Sequence, residues 1–357
     1  MKKITFVGTG YVGLVGGAGI SEFGHQVTCA DIDQNKIERL KAGEIPIYEP
    51  GLESLVKQNV AKGRLHFSHD VPKSIQNADI IFVAVGTPQG SNGEANLSAI
   101  ESVAKTIGEN LNGYKIICTK STVPIGTGKR IEEIIRSVNS NVEFDYVSNP
   151  EFLREGAAVK DFLHPDRVVI GTRTQKAIKV MGEVYRPLYI NETPIISTTV
   201  ETAEMIKYAA NAFLSLKISY INEIANLCEA VGADVQDVAR AMGLDGRISA
   251  KFLHPGPGYG GSCFPKDTHA LAATGQKNRS PLLTVEAAIK TNASQKVRMV
   301  AELKSLIGGS FKGKTVAVLG LAFKPQTDDV REAASIVIVS NLAESGATVQ
   351  AYDPIAM

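Results

Sequence analysis

Tryptophan is absent from the 357 residues, and cysteine occurs only four times, at Cys29, Cys118, Cys228 and Cys263. No two cysteines form a CxxC pair, which excludes a disulfide framework and a zinc ribbon and predicts a reducing, cytoplasmic setting. An excess of one charge is also lacking: 38 Lys and Arg against 37 Asp and Glu leave +1. A chain so near neutrality has no electrostatic footprint for nucleic acid or an anionic membrane, although a local basic pocket for a small anion stays open. The six histidines contain no HExxH. His66 and His69 form an HxxH without a third ligand nearby, so no metal is expected there and a solvated loop is. Long apolar runs are missing as well. The stretch Ile4–Ile20 carries six glycines, which excludes a membrane span of roughly 18 residues and argues against a signal peptide.

What is present suffices for a large core. Hydrophobic residues make up 44% and charged residues 21% of the chain, which excludes disorder. At about 150 residues per domain, two or three domains are expected. Apolar strand patterns at Lys3–Val7, Gln26–Ala30, Ile80–Val85, Lys115–Thr119 and Arg167–Ile170 alternate with helical ones, predicting an α/β fold with a parallel sheet covered on both faces. Between Val200 and Val231 apolar residues recur every three or four positions without Gly or Pro, predicting one long helix that links domains or builds a dimer interface. Further helix is expected around Val235–Met242 and Thr284–Leu306. Lys314–Leu319 then reads as a strand, and residues 346–353 repeat the pattern of 24–31, predicting a second Rossmann-like unit. The resulting domains are 1–198, 199–300 and 301–357. Because two strands make a poor sheet on which to end a domain, residues beyond Met357 are expected.

The glycines of Gly8-Thr9-Gly10-Tyr11-Val12-Gly13 follow a strand and open a helix, and Asp31 closes the next strand 18 residues after Gly13. In that context Gly8 permits the tight turn, Gly10 the approach of a pyrophosphate and Gly13 close helix packing. Asp31 would accept from a ribose hydroxyl and repel a 2′-phosphate, which favours NAD over NADP even with Lys36 nearby. Cys263 sits between Gly258, Gly260, Gly261 and Pro265, which a core position does not require. A thiol at a helix start beside Lys266 reads as a nucleophile for a carbonyl carbon, against the alternative of a small buried side chain. The other three cysteines read as buried. Asp267 lies one turn on. Asn149 and Pro150 predict a helix start, with Glu151 and Glu155 on one face. Read by themselves, Lys207 and Asn211 are a solvated pair one turn apart.

Six segments in order resemble the UDP-glucose/GDP-mannose dehydrogenase family: GTGYVG at 8–13, STVPIGT at 121–127, NPEFLREG at 149–156, KYAANAFLSLKISYINE at 207–223, GYGGSCFPKD at 258–267 and GLAFKPQTDDVRE at 320–332. They span essentially the whole chain. The resemblance implies two Rossmann-like domains joined by a central helical dimerisation domain. It also implies NAD-dependent, four-electron oxidation of a nucleotide sugar's C6 alcohol to a carboxylate, with UDP-glucose as substrate. Cys263 would hold the C6 aldehyde as a thiohemiacetal and then a thioester. Lys207 and Asn211 would stabilise the oxyanion, and Asp267, Glu151 and Thr122 would handle water and protons. Gly8, Gly10, Tyr11, Val12, Gly13, Asp31, Lys36, Thr87, Thr122, Glu155 and Arg331 would contact NAD. Phe152, Leu153, Lys207, Asn211, Phe252, Tyr259, Gly260, Phe323 and Lys324 would contact the sugar nucleotide, and Arg247 would reach the partner's site in a homodimer. The alternatives are the same chemistry on GDP-mannose or an N-acetylated UDP-hexose, a two-electron alcohol dehydrogenase, and a non-catalytic NAD-binding regulator.

Overall fold

The computed structural model describes residues 1–90 and 93–357, in two compact units. The first takes in residues 1–90 and 95–207. It begins with β1 (Lys3–Val7), α1 (Tyr11–Glu22), β2 (Gln26–Ala30), α2 (Gln34–Lys41), α3 (Leu52–Ala61), β3 (Leu65–Ser68), α4 (Val71–Asn77) and β4 (Ile80–Val83). It continues through α5 (Ser98–Asn110), β5 (Lys115–Thr119), α6 (Thr127–Val138), β6 (Phe144–Ser148), α7 (Ala158–Leu163), β7 (Val168–Thr172), α8 (Gln175–Val184) and β8 (Ile195–Thr198). Helix α9 (Val200–Val231) starts in this unit and runs on into the second.

The sheet order is β3-β2-β1-β4-β5-β6-β7-β8. Strand order reverses between β1 and β4, so the loops leaving the carboxyl ends of these strands border a crevice suited to a dinucleotide. Strands β1, β4 and β5 are almost entirely buried, as expected where helices cover both faces. Helix α1 can lie close to this sheet because it is rich in glycine. A Cβ on Gly17 would stand 2.3 Å from the Cys29 sulfur, and one on Gly19 would stand 2.1 Å from the Phe162 ring. Close packing there outweighs a helix-propensity cost of about 1 kcal/mol per glycine.

Three expectations need correction. The sheet is not wholly parallel, because β6 pairs with β7 antiparallel. His66 lies within β3, where Leu65 and Phe67 face the core and His66 faces out. That alternation marks a half-buried strand, which here lies at the sheet edge, and only His69 is in a loop. The third concerns Asn149 and Pro150, which start no helix. Residues 149–157 are irregular, and α7 begins only at Ala158. The Asn149 side chain is drawn inward to Lys120, Tyr185 and the Val169 carbonyl, so it cannot cap. Glu151 instead accepts from the Leu153 amide, a local bond that competes with helix. Glu151 and Glu155 therefore share no helical face.

The second unit contains α10 (Val235–Leu244), α11 (Phe264–Lys277), α12 (Leu283–Leu306), β9 (Thr315–Leu319), α13 (Ala334–Glu344) and β10 (Thr348–Tyr352). Strands β9 and β10 form a parallel pair, with Val300, Phe311 and Leu342 as the buried apolar cluster against them. The loop before α11 is pinned to α12. Asn292 accepts from the Tyr259 amide at 2.7 Å and donates to its carbonyl at 3.1 Å. No described helix is long and apolar enough to cross a membrane.

Candidate active site

In the first unit the dinucleotide loop takes the conformation its glycines allow. Gly8 has φ +101°, and a Cβ on Gly13 would stand 1.9 Å from the Gly8 carbonyl oxygen. Gly10, at the N-cap of α1, faces open space. No side chain caps α1 and no acidic residue occupies its first turn, so its orphan amides are available to a pyrophosphate. Asp31 Oδ2 accepts from the Thr9 amide at 2.8 Å and hydroxyl at 2.7 Å, and Lys36 Nζ lies 3.6 Å away. Burial pushes the Asp31 carboxyl up, but Thr9, the Asp33 amide and Lys36 hold it below its usual range. An ionised carboxylate with lone pairs to spare, beside an uncapped helix start with room for phosphate, fits NAD. Thr87 donates to the Thr122 carbonyl at 2.9 Å, tying two of the expected cofactor positions together. The Tyr11 hydroxyl donates to buried Glu49.

Also in the first unit, Lys207 and Glu151 form a buried ion pair at 2.9 Å, with side chains 4% and 5% exposed. The solvated reading of Lys207 is thus overturned: its ammonium finds a carboxylate contributed by the 149–157 segment. Burial would raise the Glu151 pKa, but Lys207, the Leu153 amide and Lys120 hold it below the ordinary value. The Lys207 ammonium stands 5.4 Å from the Phe152 ring centroid, and the Arg167 guanidinium carbon is 3.6 Å from it. A fixed cation beside an ionised carboxylate can stabilise an oxyanion and move protons at one place.

Lys120 escaped the sequence reading. Its ammonium donates to Asn149 at 3.1 Å and lies about 6 Å from the Phe162 and Tyr185 rings. The available signal was its place directly after an all-buried strand. Burial pushes its pKa from 10.5 down to about 8. The sign follows from proton binding: between these values the unfolded chain holds the proton and the folded chain does not, so stability rises with pH. Relative to Lys120→Met, the wild type should gain up to about 3 kcal/mol in urea unfolding between pH 7.5 and 10.5. Parallel stability curves for the two proteins would refute this.

In the second unit, Cys263 is the N-cap of α11 and partly exposed, with the Ser262 hydroxyl 3.6 Å from its sulfur. Cys29, Cys118 and Cys228 are buried, and burial pushes the Cys29 thiol up to about 12. Asp267, one helical turn from Cys263, is 1% exposed; it accepts from Asn211 at 2.6 Å and from Lys266 at 2.6 Å. Asn211 is therefore buried, not solvated, and the Lys266 ammonium is bound to this carboxylate. One amide proton of Asn211 is used in that bond, leaving its second for another acceptor.

The strand-following segment 320–332 adjoins the same loop. Gly261, at φ +80°, donates its amide to the Arg331 carbonyl at 2.8 Å, and a Cβ there would stand 2.7 Å from the Phe323 ring. A Cβ on Gly260 would stand 2.4 Å from the Glu332 carbonyl oxygen. Arg331 binds Asp329 through both its Nε and Nη2. Lys324 stands 5.2 Å from the Phe323 ring centroid. Phe252, at φ +66°, and Tyr259 each have ring centroids 6.0 Å from Phe264. The Arg247 side chain is 89% exposed and paired with Asp245.

Residues 2–189 match the family's NAD binding domain, 201–294 its central domain and 317–357 its UDP binding domain. The chain is 54% identical to UDP-glucose 6-dehydrogenase of Rhizobium meliloti (strain 1021), over 99% of this chain and 81% of that protein. It is also 54% identical to UDP-glucose 6-dehydrogenase TuaD of Bacillus subtilis (strain 168), over 100% of this chain and 77% of that one. The fold is similar to that of a UDP-glucose dehydrogenase from Pyrobaculum islandicum, at 38% identity and a TM-score of 0.97, covering 100% of this chain and 83% of the other. On these matches the chain, an NAD-dependent dehydrogenase, belongs to the UDP-glucose/GDP-mannose dehydrogenase family.

Proposed function

We propose that the protein oxidises C6 of UDP-glucose to a carboxylate in two steps, giving UDP-glucuronate through a covalent adduct of Cys263. The observation that carries this reading is a half-buried thiol at the start of α11, one turn from the buried Asp267 carboxylate, which binds Asn211 and Lys266. The chemistry supplied by bound NAD is hydride acceptance from C6, once for each oxidation. Gly8, Gly10, Tyr11, Val12, Gly13, Asp31, Lys36, Thr87, Thr122, Glu155 and Arg331 are the residues proposed to hold it.

The chain's own groups do the rest. Cys263 Sγ adds to C6 of the aldehyde, giving a thiohemiacetal whose oxygen is held by the Lys207 ammonium and the second amide proton of Asn211. After the second oxidation C6 is a thioester. Water, positioned by Asp267 and Glu151 with Thr122, attacks its carbonyl carbon. The C–S bond breaks, the thiolate leaves, and the water's proton passes to a carboxylate. Phe152, Leu153, Phe252, Tyr259, Gly260, Phe323 and Lys324 bind the sugar nucleotide. The test is NADH formed per limiting UDP-glucose. Two are expected; one would reduce the enzyme to an alcohol dehydrogenase, and faster turnover of GDP-mannose or an N-acetylated UDP-hexose would replace the substrate.

The active unit is proposed to be a homodimer in which Arg247 serves the partner's site. In support, α9 exposes Phe213, Tyr220 and Leu227 at seven-residue intervals, 61%, 45% and 57% accessible, a spacing that puts them on one face of the helix. Light scattering should show a dimer for the wild type and a monomer for Phe213→Glu/Tyr220→Glu. A dimer that survives both substitutions would exclude this face.

A further inference from the structure

Glu49 lies outside the six family-like segments, yet the residue is only 6% exposed. Oε2 accepts from the Tyr11 hydroxyl and, at 2.7 Å, from the Gly156 amide, while Oε1 accepts from the Ala158 amide at 2.8 Å. All four residues lie in the first unit. One carboxylate thus joins the first residue of α1 to the turn that opens α7, immediately after Glu155. Two of its bonds satisfy amides at the start of a helix that has no side-chain cap from its own N-cap residue, where a carboxylate also complements the helix dipole.

We propose that Glu49 is a positioning residue for the cofactor: by holding the Tyr11 hydroxyl and the Gly156 and Ala158 amides on one carboxylate, it sets the dinucleotide loop against the turn carrying Glu155. This rests on the reading that residues 8–13 and Glu155 contact NAD. Burial and the negative charges of Glu49 and Glu155 raise the Tyr11 pKa, so its hydroxyl stays a donor. Without the tether, the 154–158 turn and the Tyr11 ring can move independently, and a dinucleotide that touches both must order them on binding.

The test is a fluorescence titration with NADH of the wild type, Glu49→Gln, Tyr11→Phe and the double variant. Glu49→Gln keeps the shape but sets an NH2 group against donors, and should weaken NADH binding about ten-fold. Tyr11→Phe should weaken it about three-fold, and the double variant should be no worse than Glu49→Gln, because both break the same link. In steady state the KM for NAD should rise while the KM for UDP-glucose stays within about two-fold. A general loss of structure would move both. NADH affinity of Glu49→Gln within about two-fold of wild type, or additive effects in the double variant, would overturn the proposal. Should Glu49→Gln not fold, Tyr11→Phe alone decides, an unchanged NADH affinity being the negative result. Wild-type protein that fails to bind NADH would instead sink the cofactor reading itself.

Discussion

Replacing Cys263 by Ala is expected to lower steady-state NADH production from UDP-glucose by roughly three orders of magnitude, about 4 kcal/mol of barrier. Any rapid initial phase should amount to no more than one NADH per active site. The substitution is mild for the fold. The Cys263 sulfur contacts the Ser262 hydroxyl and does not cap α11, and truncating a partly exposed thiol leaves no large cavity. The loop before α11 stays pinned by the Asn292 bonds to Tyr259 and by the Gly261 amide on Arg331. The melting temperature should therefore stay close to that of the wild type while turnover collapses. Supplying the aldehyde form of the sugar nucleotide should not restore oxidation, since the second step needs the C–S bond. A variant that still makes two NADH per sugar at the wild-type rate would remove the cysteine from the mechanism.

The second large effect concerns Lys207 and Glu151. Removing either partner of a buried ion pair leaves the other charge without compensation, at a cost of about 3–5 kcal/mol. Lys207→Met and Glu151→Gln should each destabilise the protein by about that amount in urea unfolding. The double variant should recover most of the loss, because replacing both members of a buried pair by uncharged groups of similar size is often close to neutral. Activity should not follow stability. All three variants should lose about a hundred-fold or more in kcat, the typical cost of one oxyanion donor. Activity returning in the double variant would mean the pair is structural only. Equal instability of the single and double variants would mean that Lys120, the other cation acting on Glu151, already compensates it.

The legible parts of this protein are those whose cause is local. The β1–loop–α1–β2 unit follows from an apolar run, glycines at three set positions and Asp31 at a second strand's end. Helix α9 runs from Val200 to Val231, as its uninterrupted three- and four-residue spacing predicts. Edge strands were harder. In β8 (Ile195–Thr198) no residue is fully buried, so no continuous apolar run announces it. The turn at Asn149 misled for a different reason. Asn followed by Pro is a sound helix-start signal, and it lost to three distant partners that claimed the asparagine side chain.

Site chemistry divides along the same line. Gly261 and Cys263 stand out in the sequence because a bend and a helix start need particular residues, wherever the rest of the chain lies. Lys207 and Asn211, by contrast, look like a solvated face in any local reading. The partner of Asn211 is 56 positions away in Asp267, and that of Lys207 is as far off in Glu151. Glu49 is the extreme case, with acceptor bonds to residues 38, 107 and 109 positions distant. Backbone geometry and hydrophobic periodicity are properties of neighbouring residues, and the sequence alone determined them here. Whether a charged side chain is solvated or buried depends on which opposite charge the folded chain brings beside it. Only the tertiary structure decided that, because neutralising a buried charge takes a partner no local pattern contains.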